Sequence, residues 1–106
     1  VAQYFSKKWN TVVALKGANT VIVSTAGGVL VSPFANPLLA TAGTGDILSG
    51  VIAGMLAQGL DCFSAAGVGV YIHGLAGEKI SKKVGSAGAL ASDLLPLLPQ
   101  VIKKLL

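Results

Sequence analysis

The sequence has no arginine: all eight of its basic residues are lysine. It has one cysteine, one histidine and four acidic residues, and charged side chains make up 11% of it, against about 25% in an average soluble domain. Each shortage excludes something. A lone Cys62 cannot close an internal disulfide, and a lone His73 leaves no cysteine–histidine spacing that resembles a metal site. Without arginine there is no bidentate fork for phosphodiesters or base edges. The lysines Lys7/Lys8, Lys79/Lys82/Lys83 and Lys103/Lys104 are dispersed, with no aromatics between them. The net charge of +4 therefore reads as solvated faces, and nucleic acid is not an expected partner. Residues 1–10 hold two lysines and Trp9 but no apolar core of a secretory leader, so the expected setting is cytoplasmic. Long apolar runs are missing as well. Ile47–Leu60 is uncharged but bracketed by Asp46 and Asp61, and Cys62–Gly77 contains His73. A membrane span needs about 20 apolar residues, so none is expected. The pair Gly50 and Gly54 is read instead as close packing of a helix on its neighbours.

What is abundant is apolar. Hydrophobic residues make up 53% of the 106, and there are 14 glycines. The length fits one small domain. A small domain has proportionally more surface than a large one and should be more polar, not less. Such a composition excludes a disordered chain, a coiled coil and a collagen-like repeat. It implies that surface is buried against something further: a membrane, a partner subunit, or more of the same domain. Self-association into a homo-oligomer is one expected outcome of that exposed apolar surface.

Three short β-rich runs come first, Thr11–Leu15, Thr20–Thr25 and Val29–Ser32, separated by Lys16-Gly17-Ala18-Asn19 and by Gly27-Gly28. Before them, residues 1–10 read as the end of a helix that Asn10 stops. After Pro33 and the Asn36-Pro37 step the pattern becomes helical. Large and small apolar residues alternate from Asp46 to Ala57, and Gly59 ends the run. A second helix is expected over Cys62–Val84, then a loop at Gly85–Gly88. Ser92-Asp93 reads as the cap of a last helix, interrupted by Pro96 and Pro99. Helices this apolar need more sheet to cover than three short strands provide, so the chain reads as the C-terminal half of an α/β layered structure.

Two places carry chemistry. Ala42-Gly43-Thr44-Gly45-Asp46 is a glycine-rich turn that opens directly into a helix. A helix N-terminus presents unpaired N–H groups and partial positive charge, and glycine lets a phosphate approach that backbone, so the turn suits an anion. Asp46, in the first helical turn, can take a proton from an attacking hydroxyl; a simple capping role for Thr44 or Asp46 is the alternative. The turn is neither a Walker loop nor the dinucleotide fingerprint, because no Gly-Lys-Ser/Thr follows and Leu48 stands where a third glycine would fall. The second place is Lys16-Gly17-Ala18-Asn19-Thr20. Here a lysine at a strand end could meet phosphate oxygens, or could simply be the solvated tip of a hairpin.

Together and in this order the two motifs resemble a family. Leu15-Lys16-Gly17-Ala18-Asn19-Thr20-Val21-Ile22 is similar to the Leu-Lys-Gly-Ala-x-Thr-Val-Ile segment of the ADP/ATP-dependent NAD(P)H-hydrate dehydratases. Residues 36–46 resemble their Asn-Pro-Gly-x-Ala-Thr-x-Gly-x-Gly-Asp signature, with Leu38 in place of a glycine. Residues 71–77 and 89–95 match two further segments. The resemblance implies a ribokinase-like three-layer α/β fold, of which residues 1–106 would be the C-terminal part, with the N-terminal half absent. It implies an enzyme that phosphorylates the C6 hydroxyl of hydrated NADH or NADPH, using ATP or ADP and Mg2+, and then expels phosphate to regenerate the reduced cofactor. Carried over by residue, Asp46 is the base and contacts that substrate. Gly43, Thr44 and Gly45 form the anion hole, and Lys16, Gly17, Ala18, Asn19, Thr20 and Gly45 contact the adenine nucleotide. Asn36 would help order the site, and His73 is read as a packed helix residue. Two other readings remain open. One is a ribokinase-like kinase for a hydroxymethylpyrimidine or thiazole alcohol; the other is a non-catalytic interaction or membrane-associated fragment.

Overall fold

In the computed structural model, residues 1–36, 39, 43–85 and 90–105 are described. Helix α1 (Ala2–Trp9) ends at Asn10, whose left-handed backbone (φ 51°, ψ 50°) lets its own N–H and that of Thr11 reach the carbonyls of Lys7 and Ser6. Three strands follow: β1 (Val13–Leu15), β2 (Val21–Val23) and β3 (Val29–Val31). They form an antiparallel meander, with Ala14 opposite Ile22 and Ile22 opposite Leu30. The β2–β3 turn is closed by Ser24, which exchanges bonds with Gly28, while Gly27 takes the positive φ of 94°.

Side chains alternate across a strand, so Ile22 and Val23 face opposite ways. Both are 2% exposed. Ile22 packs with Leu48, Ala66 and Val70 of the two long helices. Helix α1, which lies against β1 and β2, covers the side of Val23. The layering is therefore α1, sheet, then α2 and α3, an α/β fold. Helix α2 spans Thr44–Ala57 and α3 spans Cys62–Val84. Asp61 caps α3 by accepting from the Ser64 N–H at 2.8 Å. A second core joins Ile72, Ala76 and Ile80 of α3 to Leu94, Leu97 and Val101 at the C-terminal end. No described helix is long and apolar enough to cross a membrane.

Two expectations need correction. Ser92-Asp93 does not start an α-helix. Residues Ala91–Leu97 form a 3-10 segment that begins after Leu90, whose N–H donates to the Asp93 carboxylate at 2.8 Å. Pro96 has no N–H to continue an α ladder, so α4 begins only at Leu98 and spans Leu98–Leu105, with Pro99 harmless in its first turn. The second correction concerns Gly50 and Gly54. Among the described residues nothing lies within 4 Å of a Cβ built at either, so neither is a close contact within residues 1–106. Apart from Lys16 at Gly45 in the first turn of α2, the close approaches within the two helices are on α3, among them Ile52 of α2 at Gly69, the Phe34 ring at Gly74 and the Leu39 side chain at Gly77. The expected loop at Gly85–Gly88 lies outside the described residues after Gly85, as does Leu38.

Candidate functional site

A cleft of about 780 Å³ opens between the β1–β2 connection and the amino end of α2. One wall is Lys16, Gly17, Ala18 and Thr20; the facing wall is Gly43, Thr44, Gly45 and Asp46. The two motifs, 22 or more residues apart in sequence, thus face each other. Asn19 does not line the cleft: its side-chain amide donates to the Ser32 carbonyl at 2.9 Å and ties the β1–β2 connection to the end of β3. Asn36 lines it, on the segment that leads toward α2.

The facing wall is a helix end built for exposure of backbone donors. Gly43 precedes α2 in the left-handed region (φ 91°), and a Cβ there would also press on Ala91 at 3.1 Å. The ladder of α2 begins with the Ile47 N–H reaching the Gly43 carbonyl at 3.4 Å. The N–H groups of Gly45 and Asp46 have no intrahelical acceptor. Thr44 is 3% exposed, and its hydroxyl donates to the Leu39 carbonyl at 2.7 Å. On its far side the His73 Nε2 lies 3.0 Å from the Thr44 carbonyl, which makes Nε2 the protonated nitrogen. The imidazole is buried, and burial pushes its pKa below the ordinary value, with the Thr44 carbonyl opposing and Lys16 adding to the fall.

Across the cleft the Lys16 ammonium lies over Gly45; a Cβ at that glycine would come within 2.5 Å of Nζ. An ammonium and a helix N-terminus, both positive, thus converge on one small volume, an arrangement that favours an anion between them. Asp46, exposed to solvent, puts the single carboxylate among the described lining residues beside that volume. Together these groups can hold a phosphoryl group and offer a proton acceptor next to it.

The rest of the lining was not legible in the motifs. Ser32, Phe34 and Ala35 follow β3, Leu48 comes from α2, and Val70, His73 and Gly74 from α3. The Asn36-Pro37 step marked the end of the strands but not that the segment before it folds back over α3. The signal that could have found this is Gly74 beside His73, a glycine inside a long helix, where the Phe34 ring rests.

The family model described as NAD(P)H-hydrate dehydratase matches residues 1–100. The chain is 44% identical over 105 residues to the bifunctional NAD(P)H-hydrate repair enzyme Nnr of Moorella thermoacetica, covering 99% of this chain and 20% of that protein. It is 39% identical over 101 residues to the ADP-dependent (S)-NAD(P)H-hydrate dehydratase of Xanthomonas campestris, covering 95% of this chain and 35% of that one. The fold superposes with a TM-score of 0.91 at 37% identity on the ADP/ATP-dependent NAD(P)H-hydrate dehydratase of Bacillus subtilis co-crystallized with ATP/Mg2+, over 97% of this chain and 37% of that structure. The chain thus spans between a fifth and two fifths of the length of these relatives. Matched along nearly its whole length in sequence and in fold, the chain belongs to the NAD(P)H-hydrate dehydratase family.

Proposed function

We propose that this chain carries the phosphoryl-transfer site of a nucleotide-dependent NAD(P)H-hydrate dehydratase, as the C-terminal part of a longer domain. The observation that supports it is the convergence of Lys16 and the amino end of α2 on one volume beside Asp46. Residues Lys16, Gly17, Ala18 and Thr20 hold the adenine nucleotide, and Asn19 supports their connection through Ser32. The Gly45 N–H, with its neighbours in the turn Gly43–Gly45, receives the transferring phosphoryl oxygens, where charge spreads in the transition state. Asp46 accepts the proton of the C6 hydroxyl as that oxygen attacks the terminal phosphorus and the nucleotide leaves one phosphate shorter. Loss of phosphate from C6 and of a proton from C5 then restores the C5–C6 double bond of the reduced nicotinamide.

Mg2+ fits this donor set only in one form. Among the described residues no group of three or more acidic, histidine or cysteine side chains gathers to cage an ion. The cleft has the one carboxylate of Asp46 and the amide of Asn36. Such a site would suit an ion carried in on nucleotide phosphates and water, with Asp46 and Asn36 as the cleft residues that would stand near it. When bound, it would neutralise phosphate charge.

The test compares the wild-type chain with Asp46→Asn for binding of ATP and ADP by calorimetry and for recovery of NADH absorbance from the hydrate. A fall in turnover of about 10²–10⁴-fold, the range for a lost general base, is expected, with nucleotide affinity retained. Full turnover in Asp46→Asn would remove the base assignment. A stable phosphorylated product in place of NADH would favour a small-molecule kinase.

A further inference from the structure

We infer that His73 is a positioning residue for the phosphoryl-binding turn: its Nε2–H, held on the Thr44 carbonyl, sets the Thr44–Gly45 peptide plane and so aims the Gly45 N–H. The inference rests on the proposed nucleotide site and assigns a role in it to a residue of α3, a helix the two motifs do not include.

The geometry is as follows. His73 is 5% exposed, and its Nε2 is 3.0 Å from the Thr44 oxygen. No cis peptide occurs among the described residues, so the Thr44–Gly45 unit is trans. In a trans unit the C=O and the following N–H point in opposite directions. Anchoring the oxygen on α3 therefore turns the Gly45 N–H away from α3, out of the open end of α2. A carbonyl has two lone pairs, so the imidazole can share this oxygen with the helical ladder of α2. The Thr44 hydroxyl, bound to the Leu39 carbonyl at 2.7 Å, holds the same residue from a second direction. A turn rich in glycine would otherwise sample several backbone orientations, and a donor held in place before the reaction is worth more than one that must reorganise.

A histidine suits this role better than an apolar residue of similar volume. An apolar side chain at 73 would fill the space and leave the peptide unit to the α2 ladder alone, at the end where a helix frays most readily. The residue next to it reinforces the reading: at Gly74 the Phe34 ring packs directly on the helix. Two consecutive positions of α3 therefore set the two sides of the cleft, His73 the amino end of α2 and Gly74 the segment that follows β3.

The test uses the full chain and three readouts. Long-range ¹⁵N–¹H spectra of the wild-type imidazole should show the Nε2–H tautomer; an Nδ1–H tautomer would overturn the inference with no variant needed. Binding of a non-hydrolysable ATP analogue is then measured for His73→Gln, whose amide nitrogen can reach the position of Nε2, and for His73→Asn, whose amide is too short. The expected result is an affinity within about threefold of wild type for His73→Gln and at least tenfold weaker for His73→Asn. The Gly45 amide resonance should shift only in His73→Asn. Equal losses in both variants, or no loss in either while the wild type binds, would overturn the positioning role alone. No binding by the wild type would overturn the nucleotide site itself, and this role with it.

Discussion

Lys16 and the amino end of α2 carry charge of the same sign, and the fold sets them against each other at Gly45. Close juxtaposition of like charge is unfavourable unless an opposite charge sits between, which is why this contact, more than the glycine pattern alone, points to a phosphate. His73 gives a second consequence at the same scale. Its pKa is lowered chiefly by burial, so between that lowered value and the ordinary one near 6.5 the unfolded chain holds a proton that the folded chain does not. Stability therefore rises with pH through that window, is fully present above about 6.5, and is lost as pH falls toward the folded value. Urea midpoints measured from about pH 5 to about pH 8 should show that slope, and His73→Gln should flatten it. A slope of the opposite sign would mean that the imidazole is charged in the folded chain.

Among the elements, the two long helices use glycine in opposite ways. On α3 the glycines are contact points, and an added methyl at Gly74 would drive into the Phe34 ring. On α2, Gly50 and Gly54 face open space and line a shallow apolar groove beside Leu95, Leu98 and Ile102. Gly50→Ala should stabilise the protein by about 0.5–1 kcal/mol, because it removes backbone freedom and meets nothing. Gly74→Ala should destabilise it by about 1–3 kcal/mol through overpacking. Urea unfolding of the two variants checks both signs. The periodicity of the sequence predicted α2 and α3 and placed the latter at Cys62–Val84, as the structure has it. It could not tell the two kinds of glycine apart, because that difference is made by what another part of the chain brings near. The start of α4 was misread for a related reason. Ser-Asp is a cap signal for any helical turn and does not tell 3-10 from α, and the Pro96 ring, which crowds the carbonyl four residues back, disfavours α.

At the scale of the molecule, the composition anticipated surfaces still looking for cover. Val31 is 61% exposed, Trp9 60% and Leu15 48%, on β3, α1 and β1. The α/β class was legible, and so was each motif, because each lies where a strand or helix ends; that the two face each other across one cleft was not read from the sequence. The third side of the cleft was not, since Phe34 reaches it only by packing on α3, and His73 only because α3 packs against α2. That helix touches β2, α2, the 3-10 segment and α4, and it contributes to both cores. The Leu30 side chain of β3 also rests on it, at Gly67. The domain should accordingly melt as one cooperative unit, with near-ultraviolet dichroism of the aromatics and far-ultraviolet dichroism of the helices giving a single midpoint. If the cleft takes nucleotide as proposed, nucleotide at 100 times its dissociation constant will add about 2.7 kcal/mol to the folded state. If α3 is the common mast, that gain will raise both midpoints together, and amides of the C-terminal core, which does not itself line the cleft, will exchange more slowly when the cleft is filled.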